Sequence, residues 1–126
     1  MRLTISDPAP HVGAPLQMTL TLLNRGGQPA RLLFASSQRY DFLARDDAGN
    51  EVWRWSADKL FAQVLGEETL APGGTLTFEE TWNQRDNRGL QVAPGRYVIE
   101  GVIVRSCPAA ADCRLTASAT IHIAEQ

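Results

Sequence analysis

The sequence predicts an all-β fold: an immunoglobulin-like antiparallel β-sandwich of about 7–9 strands. Three observations carry that expectation. Apolar and polar residues alternate with period two along most of the chain. Turn-forming clusters such as Asn24-Arg25-Gly26-Gly27 and Pro72-Gly73-Gly74 separate the alternating runs. Late in the chain, Pro94-Gly95-Arg96-Tyr97 places a tyrosine just after a turn. That arrangement matches the tyrosine corner of immunoglobulin-like domains, where the hydroxyl ties a crossover to the backbone. No long run has a 3.6-residue period, so an α/β fold is not expected.

Taken in order, Leu3 and Ile5 begin the pattern. Asp7-Pro8-Ala9-Pro10 breaks it, because proline cannot donate to a ladder. Leu16, Met18, Leu20 and Leu22 alternate with Gln17, Thr19 and Thr21, as in a half-buried strand. Leu32 and Phe34 form the next inward pair, then Tyr40 and Phe42, opposite Asp41 and Leu43. Asp46-Asp47-Ala48-Gly49-Asn50 reads as a hairpin turn into a strand from Val52 to Trp55. Alternation stops over residues 57–65, and Ala57 to Gln63 reads as one helical turn or a loop. Leu76, Phe78, Glu80 and Trp82 then share a face, and Glu80 there is expected to find an arginine partner. Asn83 to Gly89 is a polar loop. Tyr97, Ile99, Gly101 and Ile103 form one late strand, and Leu115, Ala117, Ala119, Ile121 and Ile123 the last. Without repeat or linker, residues 1–126 read as a single domain, long enough for its own core.

The composition is 44% hydrophobic and 21% charged, with a formal net charge of -2. Such a balance favours neither nucleic acid nor an anionic membrane. No stretch approaches the roughly 20 apolar residues of a membrane span, and Met1 to Ser6 lacks the apolar core of a signal peptide. Read literally, the chain is cytoplasmic; a trimmed secreted or periplasmic precursor is the alternative.

Chemistry is sparse. His11 and His122 have neither metal-ligand spacing nor a nucleophile motif beside them. Asp46, Asp47 and Asn50 depart from a calcium-loop spacing, and Pro72-Gly73-Gly74 lacks the lysine of a phosphate loop. No cofactor, metal or catalytic residue is expected. Cys107 and Cys113 flank a short loop. They form a small disulfide ring if the compartment oxidises them, or stay two thiols near a hairpin tip. Two of the three tryptophans lie in Trp53-Arg54-Trp55. On a strand, Trp53 and Trp55 share one face and Arg54 takes the other. At least one of the two is expected to be buried in the sandwich.

Phe34-Ala35-Ser36-Ser37-Gln38-Arg39-Tyr40-Asp41-Phe42, Gly49 to Ser56, Phe61, Pro72-Gly73, Trp82 and Pro94-Gly95-Arg96-Tyr97 together resemble the intracellular proteinase inhibitor (BsuPI-type) domain. The resemblance spans residues 14–104 and implies an immunoglobulin-like sandwich that inhibits a subtilisin-type serine protease. It transfers no reactive-site residue, and the cysteine loop lies outside its pattern. A protein partner is therefore expected, bound through one of two surfaces. One is Trp53, Arg54 and Trp55 with the Ser56 to Phe61 loop, since tryptophan and arginine anchor interfaces. The other is the Ser106 to Arg114 loop, with Arg114 as its candidate contact. A non-inhibitory interaction or cell-envelope module is the competing reading.

Overall fold

The computed structural model of the chain describes residues 1–106 and 115–125. These form nine strands: β1 (Arg2–Ile5), β2 (Leu16–Leu23), β3 (Ala30–Phe34), β4 (Tyr40–Arg45), β5 (Glu51–Arg54), β6 (Gly66–Leu70), β7 (Thr75–Trp82), β8 (Gly95–Ile103) and β9 (Leu115–Ile123). A 3-10 turn at Trp55–Asp58 is the one helical element among the described residues. One sheet is ordered β1-β2-β7, the other β5-β4-β8-β9, and β3 pairs β6 in a separate ribbon. All of these strand pairs are antiparallel. The cysteine pair, Cys107 and Cys113, and Arg114 lie outside the described residues.

The two sheets meet through the residues whose alternation marked them as inward. Leu16, Met18 and Leu20 of β2 face Phe42, Ile99, Ile103, Ile121 and Ile123 of the second sheet, and all are buried. Gly101 of β8 lies directly against Leu20 of β2. A Cβ there would lie 2.9 Å from Leu20 Cδ1, so a larger residue would force the Leu20 side chain to shift. At the crossover into β8, Tyr97 Oη donates to the carbonyl of Ala93 at 2.7 Å, the expected corner. Tyr97→Phe is predicted to lower stability by about 1 kcal/mol; an unchanged urea midpoint would count against the corner.

Three local readings need correction. The strand after the hairpin ends at Arg54, and Trp55 opens the 3-10 turn instead. Glu80 accepts from the hydroxyl of Tyr40 across the sandwich, not from an arginine. Burial fully encloses Trp82, whereas Trp53 and Trp55 are only half-buried against the core. Both still pack on the core side, because β5 is a short edge strand whose inner face is covered by the opposite sheet.

Two features had no sequence signal. Gly66–Leu70 carries two glutamates and no alternation of apolar residues, yet it forms β6. Pairing with β3 makes it a strand: Arg31 forms an ion pair with Glu67, and Leu70 is buried. Gln84, in the polar loop, has φ 63 and is fully buried. Its Nε2 donates to the carbonyls of His11 and Ala14, both at 2.8 Å, and its Oε1 accepts from Gly13 N at 2.9 Å. One side chain thus satisfies the backbone of the loop between β1 and β2. That loop also closes the sandwich edge. The carbonyls of Pro8 and Pro10 accept from His122 and Ala124, each at 2.8 Å, so prolines sit where only acceptors are needed.

Candidate functional site

The site grows from Asp41. Its neighbours in β4, Tyr40 and Phe42, point into the sandwich, so Asp41 points to the opposite face. It is nonetheless only 3% exposed, and a carboxylate so buried needs donors on both oxygens. Oδ1 accepts from Phe42 N at 2.9 Å and Ser56 N at 3.1 Å. Oδ2 accepts from Ser56 Oγ at 2.5 Å and Arg54 Nη1 at 3.0 Å. Asp41 therefore fixes the point where β5 leaves its ladder and turns into the 3-10 helix.

Arg54 completes the clamp. Its Nε and Nη2 reach the two carboxylate oxygens of Glu51 at 3.1 and 2.5 Å. Its backbone N–H donates to Asn87 Oδ1 at 3.0 Å, tying in the loop after β7. The hydrogen bond with Glu51, helped by Asp41, raises the Arg54 pKa above its ordinary value. The same bond holds Glu51 below the usual carboxylate range. A depressed folded pKa means that the stabilisation is present above the ordinary carboxylate value and is lost as pH falls through the folded one.

On the inner side lies a ladder of rings. Tyr40 stacks on Phe78 at 4.5 Å and on Trp55 at 4.7 Å, and Trp55 meets Phe61 at 6.0 Å. Trp53 stacks separately on Trp82 at 5.5 Å. Burial, followed by the bond to Glu80, raises the pKa of Tyr40, so the ladder stays neutral.

Beyond Trp55 the chain runs from Lys59 to Leu65 without regular structure. It is anchored in its middle. Phe61 packs against Trp55, and the next residue is latched to Ser37. Ala62 N donates to Ser37 Oγ at 2.8 Å, and Ser37 N donates to the Ala62 carbonyl at 2.9 Å. Lys59 stands over the Trp55 ring, its Nζ 5.1 Å from the centroid. Around these anchors Leu60, Leu65 and Val64 project into solvent, 101%, 87% and 57% exposed.

Of the residues singled out in the sequence, the structure brings Trp55 together with the Ser56 to Phe61 loop. Trp53 and Arg54 sit beside them, engaged with Trp82 and with Asp41 and Glu51. The roles of Ser37 and Ala62 were not legible. Their only sequence signal is a serine-rich bend 25 positions before an unpatterned apolar run. Among the described residues no group of three or more His, Cys, Asp or Glu is placed to hold a metal ion. His11 and His122 are both exposed. The arrangement offers a rigid aromatic base with an apolar segment held above it.

The sequence matches the model of a family described as BsuPI, intracellular proteinase inhibitor, over residues 3–107. No curated protein matches it significantly. Solved structures of similar fold include the Pseudomonas fluorescens alkylpurine DNA glycosylase AlkC bound to DNA containing an abasic site analog. There the TM-score is 0.55 at 16% identity, covering 96% of this chain and 29% of that one. The CARDB domain of the PF1109 protein from Pyrococcus furiosus, in complex with di-metal ions, gives 0.54 at 11% identity, covering 99% and 91%. Spo0M, a sporulation control protein from Bacillus subtilis, gives 0.54 at 14% identity, covering 96% and 47%. At such identities the likeness concerns the fold alone, and the chain spans less than a third of the glycosylase.

Proposed function

This chain belongs to the BsuPI family of intracellular proteinase inhibitors, and on that premise we propose that it binds and blocks a subtilisin-like serine protease. The observation that carries the reading is the family match across residues 3–107. The chain acts by surface contact and catalyses nothing. Its proposed place of action is the cytoplasm, in keeping with the family's description. Among the described residues no helix is long and apolar enough to cross a membrane.

The geometry supports a contact built on the Trp55 face. Inhibition needs a surface that loses little freedom on binding. The Asp41, Arg54 and Ser56 bonds and the ring ladder supply that rigidity. Trp53 and Arg54 brace the face and flank the contact, while Arg114 is the candidate contact of the second surface.

The test is a titration of the purified chain into a subtilisin-like protease, with hydrolysis of a small peptide substrate as readout. The rate is expected to fall to a saturating minimum while the chain is recovered intact. An unchanged rate at high micromolar concentrations would overturn the inhibitory reading and leave a non-inhibitory interaction or cell-envelope module.

A further inference from the structure

We infer that the segment Lys59 to Leu65 is the part of this protein that enters the protease cleft, with the side chain of Leu60 filling the primary specificity pocket. The inference rests on the inhibitory reading above and adds a residue and a mode of contact to it.

The first observation is exposure. Three of the seven exposed large hydrophobic residues among the described residues, Leu60, Val64 and Leu65, fall in this one seven-residue stretch. Single exposed leucines are ordinary, but a cluster on a short protruding segment marks an interaction site. Leu60 is 101% exposed, so a pocket can enclose it without any rearrangement of the fold.

The second observation is that the stretch is irregular yet held. Protease clefts bind chain in an extended form, through main-chain hydrogen bonds and pockets for alternate side chains. Lys59 has extended backbone, φ -112 and ψ 153, where the 3-10 turn ends. Immediately after Leu60, Phe61 turns inward onto Trp55, and Ala62 is bonded twice to Ser37. Leu60 thus stands between a capped turn and a double latch. Such preorganisation lowers the ordering cost of binding.

The third observation separates the two candidate surfaces. Residues 59–65 lie well inside the matched span, 3–107, whereas that span ends at the first cysteine of the 107–113 loop. Features shared with a family of inhibitors are better sought within the shared span.

The occupant is therefore a cleft with a deep apolar primary pocket, the chemistry that takes leucine. A pocket selective for cationic side chains would have to reach Lys59, which is engaged with Asp58 and Trp55.

The experiment compares inhibition constants against a subtilisin-like protease for the wild-type chain, Leu60→Asp, Leu60→Met and Leu90→Asp. Leu90 is 56% exposed and lies in the loop between β7 and β8. Leu60→Asp is expected to weaken inhibition about 100-fold, with its melting temperature unchanged. Leu60→Met and Leu90→Asp should stay within a few-fold of wild type. Hydrogen exchange of the wild-type complex should show protection over residues 59–65. If the wild-type chain inhibits and Leu60→Asp inhibits equally well, the assignment of Leu60 is overturned while the inhibitory reading stands. If Leu60→Asp alters only self-association in sedimentation, the segment is a contact between copies and the inference is equally overturned. If the wild-type chain inhibits no such protease, the inhibitory reading fails and this inference falls with it.

Discussion

Trp82→Ala is expected to destabilise the protein by about 3–5 kcal/mol, the usual cost of emptying a large aromatic site in a core. Trp82 is fully buried at the end of β7. Its ring stacks on Trp53 at 5.5 Å and meets Tyr97 edge-on at 6.0 Å. Its Nε1 donates to the Arg85 carbonyl at 2.9 Å, so the indole also holds the first turn of the loop after β7. Alanine would remove all three supports together and leave a cavity between the sheets that β5, an edge strand, has few contacts to collapse. For a domain of this size the melting temperature should fall by roughly 12–20 °C. A fall of only a few degrees would show that the site relaxes around the smaller residue. The same substitution should increase the exposure of Trp53, which acrylamide quenching of the remaining tryptophan fluorescence would report.

Asp41→Ala is expected to cost about 3 kcal/mol, from several small terms that share a cause. The backbone N–H groups of Phe42 and Ser56 and the Ser56 hydroxyl would lose their acceptor. Arg54 would keep Glu51 but lose the bond that directs it over the start of the 3-10 turn. Asp41→Asn should cost less, because the amide oxygen still accepts from the backbone while the charge-assisted bond to Arg54 is lost. The difference between the wild-type and Asp41→Asn denaturation midpoints would measure the charged part of the clamp. Equal midpoints for these two would show that the negative charge contributes nothing beyond hydrogen-bond acceptance. Weaker protease inhibition at temperatures where Asp41→Asn stays folded would tie the clamp to the presentation of residues 59–65.

Much of this architecture was legible because period-two burial is a local property. β2, β7, β8 and β9 announce themselves by alternation, since one side of each strand faces the opposite sheet. The hairpin at 46–50 and the corner at Tyr97 were legible too, because each is closed by bonds within five residues. The half-buried state of Trp53 and Trp55 was not, because it depends on how much of an edge strand the other sheet covers.

What the sequence determined by itself is therefore the set of strands with one wet face, the turns between them and the family. The tertiary structure alone decided the rest, and in each case the partner is remote. β6 is a strand because β3 lies beside it, with Arg31 opposite Thr69 and Leu33 opposite Glu67. Glu80 chooses the Tyr40 hydroxyl 40 positions away, and Gln84 the loop 70 to 73 positions away. Ser37 holds Ala62 across 25 positions, and that latch sets which apolar side chains of the 59–65 segment turn inward and which stand in solvent. A run of apolar residues without periodicity has no preferred face of its own. Its orientation is settled only when the folded chain supplies the hydrogen-bond partners that pin it, and here they lie in the bend between β3 and β4.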